Sequence, residues 1–126
     1  MKYTLNRTQQ NSKLIDDAIA LLQLMNEHNK TNFKMRFTEA ARGRANIRLQ
    51  RFTIPGQAIE CGESYLFYYV IHEYTHCISR IVKHNDIFKH GEIVLLRKFT
   101  NMDNIDYARA YPKKLYANGQ IVYKRK

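Results

Sequence analysis

Apolar residues recur along the chain with two different periods, and the switches between them divide it into elements. From Asn11 or Ser12, either of which can cap a helix, to His28, one broad face carries Leu14, Ile15, Ala18, Ile19, Leu21, Leu22 and Met25. Asp16, Asp17, Gln23 and Glu27 fall on the other side, which predicts an N-terminal packing helix. At Phe33 the period shortens to two. Phe33, Met35 and Phe37 alternate with Lys34, Arg36 and Thr38, and Ala45, Ile47 and Leu49 alternate with Asn46, Arg48 and Gln50. With a turn over 39–44 between them, these runs predict two strands of a small antiparallel sheet, one face buried and the other carrying Lys34, Arg36, Arg44 and Arg48. Residues 52–56 end that hairpin, and 57–60 read as a short third strand feeding the next element.

That next element, over 65–82, has almost no polar stripe. Leu66, Phe67, Val70, Ile71, Tyr74, Cys77, Ile78, Ile81 and Val82 surround it, so it belongs in the middle of a domain. A further helix follows, capped by Asn85 or Asp86, with Phe88, Glu92, Leu95, Leu96 and Phe99 on one side. Alternation around Asn118-Gly119 predicts a basic C-terminal β-hairpin over about 113–124. The pattern describes one α+β domain spanning residues 1–126, with a single modest core.

Into the apolar central helix the sequence sets His72, Glu73 and His76. Burying such groups without partners costs several kcal/mol, so something must compensate. Two histidines four apart share a helix face and can reach one zinc ion, while a glutamate about 100° round the helix from the first sits beside the ion. There it can take a proton from a water that the metal has acidified. His-Glu-x-x-His on a helix is the metalloprotease signature, and it casts Glu73 as the catalytic base and His72 and His76 as ligands of Zn2+. A third ligand must come from elsewhere, and His84, His90, Glu92 or an aspartate is available. His84 is preferred because the central helix must already have ended there and the chain turns back; His90 is the alternative.

Charge adds a second theme. Twenty-one Lys and Arg against eleven Asp and Glu give a net +10, a field that attracts polyanions. Arg42, Arg44, Arg48, Lys113 and Lys114 are the candidate nucleic-acid contacts, with DNA the natural partner. Two cysteines cannot build a secreted disulfide framework, and no signal peptide or membrane span is visible, so a cytoplasmic protein is expected.

The run Val70-Ile71-His72-Glu73-Tyr74-Thr75-His76, followed by His84-x-x-x-Phe88-Lys89-x-x-Glu92-x-x-Leu95-Leu96 and preceded by Arg42-Gly43-Arg44-Ala45, resembles the SprT-like and WLM branch of small zinc metallopeptidases. The resemblance covers roughly residues 33–112 and implies a minimal zincin-like fold. It implies that His72, His76 and His84 are the ligands and Glu73 the general base, and the better-known members of that family degrade proteins crosslinked to DNA. Two departures stand out. Asn85 replaces the glycine usual after the third histidine, whereas a His-Gly pair occurs at His90-Gly91, and the family's C-terminal cysteine zinc ribbon is missing. The leading expectation is a zinc-dependent endopeptidase acting on protein or peptide, with DNA-associated or DNA-crosslinked proteins as candidate substrates and Tyr107, Arg109 and Tyr111 as candidates to steady the oxyanion. The alternative is a basic nucleic-acid-binding protein with a structural zinc.

Overall fold

The structure, a computed structural model, describes residues 9–40 and 42–100. The predicted C-terminal hairpin, Lys113, Lys114, Tyr107, Arg109 and Tyr111 lie outside the described residues. Those described form an α+β fold of four helices and a small mixed sheet. Its elements are α1 (Gln9–Asn29), β1 (Lys34–Thr38), β2 (Arg44–Asn46), β3 (Arg51–Pro55), α2 (Gln57–Glu60), α3 (Glu63–Ser79) and α4 (Asp86–Phe99). No described helix is long and apolar enough to cross a membrane.

α3 is the axis. Tyr65, Leu66 and every residue from Tyr68 to Cys77 are buried, and α1, α2, α4 and the sheet all pack around it. α1 contributes Leu14, Ile15, Ala18, Leu21, Leu22 and Met25, as its spacing predicts, but it starts at Gln9 and leaves Ile19 41% exposed at the margin of the face. The Tyr74 hydroxyl pins the end of α1 to α3: it donates to the Met25 carbonyl at 3.2 Å, accepts from Asn29 Nδ2 at 3.0 Å and meets Thr31 Oγ1 at 2.8 Å.

The sheet departs from the expected hairpin. Its order is β1-β3-β2, and β1 runs parallel to β3 with Lys34 opposite Arg51 and Phe37 opposite Ile54. β2 pairs antiparallel with β3 through Arg44↔Thr53, Ala45↔Phe52 and Asn46↔Arg51. The residues expected to end the hairpin therefore form the central strand, because Phe52 and Ile54 are the most deeply buried apolar pair in the sheet. Ile47 and Leu49, expected in a strand, lie in the 47–50 turn that joins β2 to β3, where Gln50 takes a positive φ of 56°. Residues 57–60 are helical, not extended: Ala58 and Ile59 are adjacent and both fully buried, which one helix face permits and a strand with a single buried face does not.

The central helix spans Glu63–Ser79, so it starts two residues before the expected 65–82 and ends three residues short of it. Its end is built by side chains. Ser79 Oγ donates to the Thr75 carbonyl at 2.6 Å and accepts from the Ile81 amide at 3.2 Å, and Arg80 adopts a left-handed conformation, φ 59°. That reversal turns the chain back along the helix.

Candidate metal centre

Three imidazoles converge where α3 ends. The candidate ligand atoms of His72, His76 and His84 all lie within 4.8 Å of one another, and His84 Nε2 stands 3.1 Å from His72 Nε2. His90 is exposed on α4 and is not part of the group. Residue 84 reaches the pair because the turn after Arg80 brings the chain back and because α4 starts immediately beyond it, with Asn85 as its N-cap accepting from the Phe88 amide at 2.9 Å.

The rings are oriented by acceptors behind them. His72 Nδ1 meets Glu92 Oε2 at 2.6 Å, and His76 Nδ1 meets the Ile81 carbonyl at 2.7 Å. A carbonyl oxygen and an ionised carboxylate only accept; against them each Nδ1 carries the proton and each neutral ring turns its Nε2 lone pair toward the cluster. A carboxylate or carbonyl behind a ligating imidazole is the usual support of a metal site. Phe88, fully buried, forms the floor: its ring centroid lies 5.2 Å from that of His72, 4.4 Å from His76 and 5.1 Å from His84.

Electrostatics favours neutral rings at two of the three positions. Burial, reinforced by the charges of His72 and His76, holds His84 down at about 4, and burial lowers His76 as well. At His72 burial also pushes downward, but the hydrogen bond and charge of Glu92 more than offset it, so the net shift is upward. Glu73 is 4% exposed, and burial lifts its carboxyl to about 7, against the opposing pull of His72. A base near that value suits proton transfer at neutral pH. The donor set, three imidazoles of which two have their protons committed behind them, fits zinc. Glu92 Oε1 has no partner among the described residues, which leaves that carboxylate with further acceptor capacity behind the cluster.

In front of the cluster lies a cleft of about 350 Å³, lined by His72, Glu73, His76 and His84 on one side and by Arg42, Gly43, Arg44 and Ala45 on the other, with Ile47 and Val82 adding apolar surface. The second wall is set by close contact at Gly43. Its amide donates to the Tyr69 hydroxyl at 2.9 Å, and a Cβ there would stand 2.3 Å from the Thr53 carbonyl oxygen and 2.7 Å from a Tyr69 ring carbon. Only glycine admits that approach.

Of the residues expected to act, the structure brings together His72, Glu73, His76 and His84, and it places Arg42 and Arg44 on the facing wall. Arg48 sits exposed in the β2–β3 turn, outside the cleft. Glu92, weighed as a ligand, instead stands behind His72. The signal was visible: an acidic residue on the apolar side of α4, one turn from Phe88. The supporting role of the Ile81 carbonyl had no sequence signal, because any residue offers one. The chain matches no family model, no curated protein and no solved structure.

Proposed function

We propose that the chain is a zinc-dependent endopeptidase with a minimal zincin-like site, the reading that its resemblance to SprT-like and WLM metallopeptidases also implies. The observation that carries it is a three-histidine cluster opening onto a cleft that a buried glutamate also lines. His72, His76 and His84 would hold the ion. Zinc so held supplies Lewis acidity and lowers the pKa of water to about 7.

Everything else is done by the chain. Glu73 takes a proton from the attacking water and returns it to the leaving amine, a role its pKa of about 7 suits. Glu92 and the Ile81 carbonyl hold two rings in the ligating tautomer. β2 is an edge strand, and an extended peptide can add to such an edge, lying across the cleft in front of Glu73. Arg42 and Arg44 place positive charge where a carbonyl oxygen would become negative.

A structural zinc in a nucleic-acid-binding protein would call for four closed ligands. Among the described residues three come together, and the space in front of them is open. The test is to purify the protein with zinc supplied, measure metal content, and follow hydrolysis of an unfolded protein substrate. One zinc per chain is expected, and Glu73→Gln should retain it while losing about 10²- to 10⁴-fold in rate. A chain that takes up no zinc, or a Glu73→Gln variant as active as the parent, removes the proposal.

A further inference from the structure

The sheet buries one face against α3 and turns the other outward, and strand register decides what that outer face carries. Lys34, Arg51 and Asn46 stand side by side across β1, β3 and β2, and Arg36, Thr53 and Arg44 form the adjacent row. Lys34, Arg36, Arg44, Asn46 and Arg51 are all exposed, and with Thr53 they line a groove of about 410 Å³. Two residues along a strand and two strand spacings across it, the four cations occupy a patch of roughly 7 by 10 Å at the backbone.

Such an arrangement is costly. Lys34 and Arg51 are direct cross-strand neighbours of like sign, which destabilises a sheet. Among the described residues none of the four is paired with a carboxylate. A merely solvated face would intersperse charges of both signs. Three of the four are arginines, whose planar fork binds phosphate oxygens in pairs, and Asn46 adds an amide donor. Among the described residues no aromatic side chain is exposed on this face to stack on a base. An acidic peptide would add its backbone to the sheet edge, whereas this groove offers side-chain cations across the strands.

We infer that the outer face of the sheet binds the phosphate backbone of a nucleic acid, without base preference, through Lys34, Arg36, Arg44 and Arg51. The inference goes beyond the hydrolytic reading and needs neither the metal nor Glu73. Arg44 lines both this groove and the metal cleft, so a bound strand would pass beside the candidate catalytic site.

The test uses fluorescence anisotropy of a labelled mixed-sequence DNA, single-stranded and as duplex, with the full chain over a salt series. Arg36→Ala/Arg51→Ala should weaken binding roughly tenfold and flatten the log K against log salt slope by about 1.4 for the single strand or 1.8 for the duplex. Arg97→Ala/Lys98→Ala removes equal charge from exposed positions on α4 and should change affinity by less than about threefold. Arg36→Lys/Arg51→Lys should keep most of the slope, which separates lost charge from lost structure. Melting at or above the parent temperature is expected for the alanine pair, since Arg51 no longer opposes Lys34. Binding of either DNA form with these losses supports the inference and identifies the form preferred. Equal losses from the two alanine pairs, an unchanged salt slope, or tighter binding of a polyglutamate of the same charge overturns it.

Discussion

The two walls of the cleft are held by different physics. The helical wall presents ionisable groups whose positions are set by side chains: Glu92 behind His72, the Ile81 carbonyl behind His76, Phe88 beneath all three rings. The strand wall presents Arg42 to Ala45, and it is set by backbone contact at one residue without a side chain, Gly43 against Tyr69 and Thr53. The first wall is built for fixed geometry, the second for close approach. Changes on the helical wall should alter affinity for metal, and changes on the strand wall should alter the shape of the space in front of it.

The sharpest contrast comes from His84→Ala. Structural zinc sites bind with about 10–16 kcal/mol, so removing one of the three proposed ligands should cost several kcal/mol, on the order of a thousandfold or more in zinc affinity by competition with a chelating dye. His90→Ala, at an exposed position, should change nothing measurable. Next, Gly43→Ala forces a Cβ into the Thr53 carbonyl and the Tyr69 ring, and about 1–3 kcal/mol of stability should be lost in urea denaturation, with zinc affinity nearly intact. If that variant also lost its metal, the two walls would not be separable.

Glu92→Gln acts on the helical wall alone and should weaken zinc binding by about 10- to 100-fold. Its pH dependence carries a sign. A zinc ion held there needs the lone pair of His72 Nε2, so affinity should climb as pH rises through the raised His72 pKa; without the Glu92 charge, burial is opposed mainly by Glu73, and the climb should move to lower pH. For metal-free folding the His72–Glu92 pair works the other way. A raised folded-state pKa gives stability fully present below about pH 6.5 and lost as pH rises through the raised value. The smallest effect is Asn85→Ala, which removes the α4 cap and should cost about 1 kcal/mol in thermal unfolding.

The helical wall is largely legible in the sequence, and the strand wall is not. Four-residue spacing puts His72 and His76 on one helix face whatever surrounds them, and the apolar side of α4 already contains Glu92. A two-residue period, by contrast, tells which face a strand buries but not which strand lies beside it. Met35, Phe52 and Ala45 share the inner face in the observed sheet, yet the same alternation is equally consistent with β1 beside β2. Gln57–Glu60 was ambiguous for another reason: four residues are too few for either period to declare itself, and its helical form rests on burying Ala58 and Ile59 together. The end of α3 depended on hydroxyl and imidazole contacts at Ser79 and His76 that no hydrophobic pattern encodes.

The left-handed Arg80 has a consequence for assembly order. Because the chain doubles back there, the three imidazoles come from a stretch running only from His72 to His84, and linking them closes a short loop. The entropic penalty of loop closure grows with length, so this one is small compared with joining strands or distant helices. A cation could therefore be captured by α3 and its following turn while the sheet was still unformed, seeding the rest of the molecule around it.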